Sequence, residues 1–453
     1  MSEKIVFTER LTTFYKYPSV CLFQDQLENP EDFLAPLKTP STRKRPQMIY
    51  LHIPFCTSTC LYCPFYKVKY QKQEPGLIER FVDCMVLELV KYSREPFFQD
   101  VPIINVQFGG GSPLTLETRS LEKIISTITA HFNLDKNAVI SLEGGPLNLQ
   151  DKEKLSALKN MGMTRVSFGI QTFNEKLRKK LGIETNLRDV YRAVDTIKKF
   201  DFQEFACDLL YNLPDQNANE IRFNIDRACE FEPSAIDFYD LNVFPNTRFH
   251  QLIEKNAFKT KPSNKNEILH FKAGMETFKA NGFEQIRSYV FQPTNRGEPA
   301  PSSVLCSFNS DLLAVGPSGR TTIYSNGLNY RNHCSLEKYI DSLEKNEYPV
   351  EAGNLITPEV LQERDLILFP YFLKAKKELI DHPRFKDKLN DLNVSGYIQE
   401  RDGVIELTDL GKMWAGNVSY YLHSDYEKER IGNTVFSCLL EERNIFNQDK
   451  MNC

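Results

Sequence analysis

The chain has 453 residues, 41% of them hydrophobic and 26% charged, with a net charge of −4. That length fits two or three domains, or one large α/β domain with additions, and the apolar content is ample for a sizeable core. The lack of a basic excess argues against a nucleic-acid surface. The charge-studded start MSEKIVFTERLTTFYKY does not read as a signal peptide, and no run of about 18 apolar residues offers a membrane span. A cytoplasmic protein is expected, with peripheral membrane contact left open.

Residues 1–46 carry no clear period, and NPEDFLAPLKTPSTRKRP, rich in proline and charge, reads as an extended lead-in. A regular rhythm then begins. QMIYLHI, ending at residue 53, reads as a buried strand, and 77–95 has helical periodicity. Strands at 103–108, 138–144, 165–171, 205–214 and 235–244 alternate with helices at 116–132, 151–162, 187–201, 218–231 and 266–283. Six βα units in a row predict a parallel sheet covered by helices, closed as a partial (β/α)6 TIM-like barrel over 47–300. In such folds the loops after the strands carry the chemistry. DLLAVGPSGRTTI (311–323) reads as strand, glycine turn, strand, within an extension of the core over 301–350. A C-terminal α+β region over 351–453 follows, ending in a helix and small hairpin of winged-helix character in LNVSGYIQERDGVIELTDLGKMWAG (392–416). With no basic excess, packing or lid duty suits that unit better than nucleic-acid binding.

The chain has 11 cysteines. An odd number scattered through a long chain favours free thiols over a disulfide framework, and most read as small core hydrophobes. Cys56, Cys60 and Cys63 stand apart: spaced C-x3-C-x2-C in YLHIPFCTSTCLYCPFYK, they follow the first strand directly. Structural zinc asks for four ligands, usually as two close pairs, and the one nearby addition, His52, lies inside the strand. Three thiolates on a four-iron cluster leave one iron open to a small molecule, which fits the trio better.

This spacing, with the aromatic Tyr62 before the last cysteine, resembles the signature of radical SAM enzymes. GGGSP (109–113), at the end of the next strand, resembles their glycine motif, where backbone without side chains can approach a ligand closely. YLHIPFC, FGGGSP, SLEGGP, RVSFGIQTFN and DLLYNLP, in that order, resemble the branch typified by oxygen-independent coproporphyrinogen III dehydrogenase, over about residues 47 to 325. The resemblance implies a radical SAM barrel with a [4Fe–4S] cluster held by Cys56, Cys60 and Cys63. S-adenosylmethionine (SAM) would lie against Tyr50, Gly109, Gly110, Gly111, Glu143, Gln171, Asp208 and Gly316, with Ser318 beside the last. One departure stands out: Ile183 occupies the place of a family arginine that could grip a carboxylate. Arg178 or Lys180 are the candidates to compensate.

The aromatic continuation CPFYK after the last cysteine, with the long lead-in, resembles the class C radical SAM methyltransferases of that branch. These use two SAM molecules, one as radical source and one as methyl donor, to methylate an sp2 carbon of a planar ring. The resemblance implies a quinone, as in menaquinone C-8 methylation, or a tetrapyrrole, as in anaerobilin synthase. Only seven histidines are present and none forms a paired motif, which leans the expectation towards the quinone. A haem chaperone or a coproporphyrinogen III dehydrogenase stands as the alternative. Tyr239, Tyr289 and Phe291 are candidates for the ring pocket, though core packing is the simpler account of each. An electron donor such as flavodoxin or ferredoxin is implied.

Overall fold

The computed structural model describes residues 4–11, 27–41, 45–58, 60–63, 65–99, 101–244, 247–297, 310–425 and 428. Cys21, Cys306, Cys438, Cys453, Thr59 and Pro64 lie outside the described residues, as does much of the lead-in.

Six parallel strands form the frame: β1 (Gln47–Ile53), β4 (Ile103–Gly110), β5 (Leu134–Gly144), β6 (Arg165–Gln171), β7 (Glu204–Tyr211) and β8 (Ala235–Asp240). Helices Leu77–Ser93, Thr118–His131, Lys152–Asn160, Leu187–Ile197, Ala218–Cys229 and Asn264–Ala280 follow them in turn. Short strands β2 (Phe55–Cys56) and β3 (Val68–Lys69) pair with each other in the loop after β1. The strands are nearly continuous apolar runs because both faces are covered, as a parallel sheet requires. Phe108, Leu142, Val166, Phe168, Leu209 and Ile236 are among the buried side chains at their centre.

The sheet does not stop at six strands. At one edge β10 (Val290–Pro293) adds antiparallel to β8, and β9 (Phe283–Arg287) adds antiparallel to β10. At the other, β11 (Asp311–Val315) lies parallel to β1, and β12 (Arg320–Ile323), β13 (Leu328–Asn332) and β14 (Val350–Leu355) continue antiparallel, giving twelve strands. The strand–glycine turn–strand reading of 311–323 matches β11 and β12. A second small sheet, β15 (Lys374–Lys376), β17 (Val404–Leu407) and β16 (Ile398–Arg401), packs with helices Pro358–Phe372, Lys386–Val394 and Ala415–Leu422 around Leu366, Phe369, Trp414 and Val418. No helix of the described residues is long and apolar enough to cross a membrane.

Three expectations need correction. The stretch from Asn29 is not extended: the Asn29 side chain accepts from the backbone of Glu31 and Asp32, starting a helical turn at Pro30–Phe33. Leu34 and Leu37 then anchor it in the core. β8 ends at Asp240 rather than 244, because its other neighbour β10 reaches only Ile236 and Asp237. The free-thiol reading holds for Cys56, Cys60, Cys63, Cys84, Cys207 and Cys229 but fails at Cys334, which is disulfide-bonded.

The N-terminal segment is bound into this frame by Arg10. Its guanidinium lies 3.7 Å from the Phe271 ring centre, 2.8 Å from Glu267, against the Tyr211 hydroxyl, and donates to the Met413 carbonyl. Barrel, N-terminal segment and C-terminal helices meet at that one buried side chain.

Candidate functional site

Cys56 closes β2, and Cys60 and Cys63 sit in the turn that returns the chain to β3. The turn is tied at several points. Cys63 N–H donates to the Cys60 carbonyl at 3.3 Å, Val68 N–H to the Pro54 carbonyl at 2.8 Å, and Lys67 Nζ to the Cys63 carbonyl at 2.7 Å. Leu61 N–H donates to the Leu181 carbonyl. Burial pushes the Cys56 thiol up to about 12, with Cys63 adding to the rise and Lys67 opposing it. Burial also raises Cys60. Thiols this close and dehydrated stay protonated unless cations arrive to take the charge, which is what metal binding supplies.

His52 is no fourth ligand. Its Nε2 lies 3.1 Å from the Tyr66 carbonyl and its Nδ1 3.4 Å from the Tyr50 hydroxyl, and burial lowers its pKa to about 4. Among the described residues, no group of three or more His, Cys, Asp or Glu is placed to hold a single metal ion.

The glycine stretch ends β4 directly beside this loop. Gly111 N–H donates to Ile53 O and Ser112 N–H to Phe55 O, each at 2.8 Å, stitching the glycine turn to the cysteine strand. A Cβ on Gly111 would stand 2.7 Å from Phe55 O and 3.0 Å from Cys56 Sγ. One on Gly109 would stand 2.9 Å from the Tyr50 ring and 3.1 Å from Glu143 Oε2. Backbone blocks any larger residue at Gly111, and one at Gly109 would have to displace Tyr50 and Glu143, so Tyr50, Glu143 and Cys56 converge on backbone. This bare cradle next to three thiols suits a cluster and a ligand with a compact polar end.

The other carboxylates line the mouth beyond it. Glu143, at the end of β5, accepts from Gln107 Nε2 at 2.9 Å. Asp208 on β7 pairs in register with Asp237 on β8 and with Gly169 on β6. All three acids are partly open to the mouth yet deeply surrounded by protein. Burial raises Glu143, and burial with the neighbouring Asp237 and Glu143 holds Asp208 well above the carboxylate range. Asp237 rises to about 6 through burial, against the pull of Arg165 and a hydrogen bond from Tyr239. Arg165 is shared with Glu204, 3.2 Å away. Gln171 ends β6 with a left-handed backbone, φ 70°, and its side chain folds back over Gly169. Gly316 follows β11 at φ 100°, packed on the His52 carbonyl.

The structure therefore brings Gly109, Gly110, Gly111, Glu143 and Gln171 to the C-terminal ends of neighbouring strands, with Tyr50 and Asp208 nearer the middle of β1 and β7 and Gly316 behind β1. Ser318, two residues on with φ 63°, donates its N–H to the His333 carbonyl. Tyr239 and Tyr289 also meet, ring centres 4.7 Å apart, and Tyr289 reaches the Tyr371 hydroxyl at 3.2 Å. Phe291 does not join them: it is buried and stacked 3.9 Å on Phe278, because its place on β10 turns it into the helix layer.

Neither expected substitute for the family arginine is available. Arg178 is buried and spends its guanidinium on the carbonyls of Ile170, Thr172 and Thr185 and the Thr185 hydroxyl. Lys180 is paired with Asp215 at 3.0 Å. Ile183 itself packs in the apolar cluster under Leu61 and Tyr62, supporting the cysteine loop. Sequence reasoning also missed Asp237, Gln107 and Tyr371. In AIDFYD Asp237 shows only as an acid within an apolar strand, and its pairing with Asp208, like the place of Tyr371, comes from tertiary packing.

A family model described as the radical SAM superfamily matches residues 50–228. The anaerobilin synthase of Escherichia coli O157:H7 is 28% identical over 385 residues, 84% of each chain. The heme chaperone HemW of Buchnera aphidicola subsp. Schizaphis graminum is 31% identical over 388 residues, 82% of this chain and 97% of that one. Among solved structures, the coproporphyrinogen III oxidase (HemN) of Escherichia coli, described as a radical SAM enzyme, shares the fold with a TM-score of 0.77 at 19% identity, over 91% of this chain and 99% of that one.

Proposed function

This chain belongs to the radical SAM superfamily, in the branch with HemN, HemW and anaerobilin synthase, whose cofactors are a [4Fe–4S] cluster and SAM, and from that premise we propose that it acts on a tetrapyrrole, as a haem-opening methyltransferase of the anaerobilin-synthase type. The observation that carries this reading is the similarity to anaerobilin synthase across 84% of both chains. It replaces the quinone expected from the sequence, since HemW is a heme chaperone and HemN a coproporphyrinogen III oxidase.

The mouth supports haem over coproporphyrinogen. Ile183 replaces a cation, Arg178 and Lys180 are engaged elsewhere, and the proton-sharing acids Asp208 and Asp237 offer no positive charge in their place. Such a surface disfavours a substrate with four carboxylates. Haem has two, and a positively charged centre.

When bound, the cluster supplies the electron that cleaves SAM, and SAM supplies the deoxyadenosyl radical and the transferred methyl. Cys56, Cys60 and Cys63 would hold the cluster. Tyr50, Glu143, Gln171 and the Gly109–Gly111 backbone would orient the first SAM, while the Asp208–Asp237 pair would hold a proton at the mouth. Tyr239 and Tyr289 would form an aromatic wall for the ring, and the cradle would exclude water. An electron donor of flavodoxin or ferredoxin type would complete turnover.

The 31% identity to a heme chaperone across 97% of its length favours a second reading, in which haem is bound and handed on. One experiment separates the two. The anaerobically reconstituted protein is mixed with haem, reductant and SAM carrying a deuterated methyl group. Methyl transfer predicts loss of haem absorbance, S-adenosylhomocysteine, and a tetrapyrrole product heavier by a partly deuterated methyl. Stoichiometric haem binding with none of these products would establish the chaperone reading instead.

A further inference from the structure

Helix Leu77–Ser93 buries an apolar face that contains one charged residue, Glu88. Its side chain is fully buried, 0% exposed, and among the described residues no cation faces it. The titratable groups around it are Tyr339 from helix Leu336–Glu344, Tyr330 from β13, and Tyr92 and Cys84 from its own helix. A carboxyl without a counter-charge at such depth costs several kcal/mol to ionise unless donors surround it.

Donors do surround it. Glu88 Oε2 accepts from the Tyr339 hydroxyl at 2.6 Å and from Gly316 N–H at 2.9 Å, and Oε1 accepts from Asn332 Nδ2 at 2.7 Å. Asn332 Nδ2 also donates to the Gly316 carbonyl at 3.0 Å. One carboxylate and one amide thus grip both polar groups of the Gly316 residue, in the turn between β11 and β12 that packs on His52. All three contacts need Glu88 as acceptor. Asn332 Oδ1, meanwhile, is buried without a partner among the described residues. Should Glu88 take a proton, its O–H requires an acceptor: the Tyr339 hydroxyl supplies one only by turning its own proton away, and the Asn332 amide can offer Oδ1 only by withdrawing Nδ2 from Gly316.

We propose that Glu88 is a positioning residue: as a carboxylate it holds the Gly316 turn in place, and on protonation it releases the turn, so that SAM affinity follows the protonation of a residue that does not touch SAM. The inference rests on the reading of Gly316 as part of the SAM site. Burial raises the Glu88 carboxyl to about 7, so the change falls near neutral pH.

The test uses the reconstituted holoprotein on either side of that pH. Amide hydrogen exchange of the peptide spanning 311–323, corrected for intrinsic rates, reports the turn; equilibrium binding of SAM reports the site. In the wild-type protein the turn should be more protected above pH 7 than below, and SAM should bind about tenfold more tightly there. Glu88→Gln should show the low-pH behaviour throughout. Tyr339→Phe keeps the shape but removes the strongest hydrogen bond favouring the carboxylate, so its step should move to higher pH. Identical exchange in wild-type and Glu88→Gln at both pH values overturns the role of Glu88. A pH-dependent turn in a protein that binds no SAM overturns instead the coupling and the reading of the site on which it rests.

Discussion

Asp208 and Asp237 stand opposite each other on adjacent parallel strands, with Glu143 two strands away and Arg165 as the nearby cation. Like charges at this depth cannot both ionise, so the pair shares a proton near neutral pH. Asp237→Asn keeps the shape and removes the repulsion, and the remaining Asp208 should titrate at lower pH. The acid limb of the pH profile for SAM binding should move down accordingly. An unmoved limb would mean that the two carboxyls do not communicate.

Much of this site is legible in the sequence, for physical reasons that differ from residue to residue. The cysteine spacing and the glycine run are local constraints: ligand geometry and backbone approach act within a few residues. The strands read clearly because burial on both faces makes them continuously apolar. Asp237 escapes notice because an acid within a strand takes meaning only from its neighbour across the sheet, and register is set by tertiary pairing. Arg178 misleads for the converse reason. Its charge suggests a ligand grip, yet it lies fully buried and its donors are consumed by carbonyls of the loop after β6. The four strands on the far side of β1 belong to a segment that begins some 260 residues later in the chain, where no local pattern reveals which edge they join.

Arg178 supplies a stability prediction. Its guanidinium satisfies three backbone carbonyls that no water reaches easily, and an unsatisfied buried acceptor costs about 1–3 kcal/mol. Arg178→Ala should therefore destabilise the protein by at least about 3 kcal/mol. Arg178→Lys should recover only part of the loss, since one ammonium cannot span that fork. Chemical denaturation measures both. Equal stability of the lysine variant and the wild type would contradict the staple role.

Glu88 gives stability a pH slope of definite sign. Its folded value of about 7 lies above the ordinary 4.5, so between those limits the folded state binds the extra proton. Its contribution to stability is full below about pH 4.5 and is lost as pH rises through 7, with a limiting slope of about 1.4 kcal/mol per pH unit. Glu88→Gln should remove that component, and the difference between the two stability curves should flatten above pH 7. A difference that stays constant from pH 4.5 to 7 would mean that Glu88 is not held protonated by burial.

The cysteine loop yields the most direct prediction. Cys56, Cys60 and Cys63 share one turn, while Cys84, Cys207 and Cys229 lie in helices or strands of the frame. Anaerobic reconstitution should load about four irons per chain. Cys60→Ala removes the central thiol of a set that has no spare, since His52 is committed to Tyr66 and Tyr50. Iron content and the broad visible absorbance of the cluster should then collapse. Cys84→Ala should leave both unchanged, because that thiol faces the Ile340 carbonyl away from the turn. Retention of a full cluster by Cys60→Ala would refute the assignment of the trio, and the proposed chemistry of the mouth would lose its electron source with it.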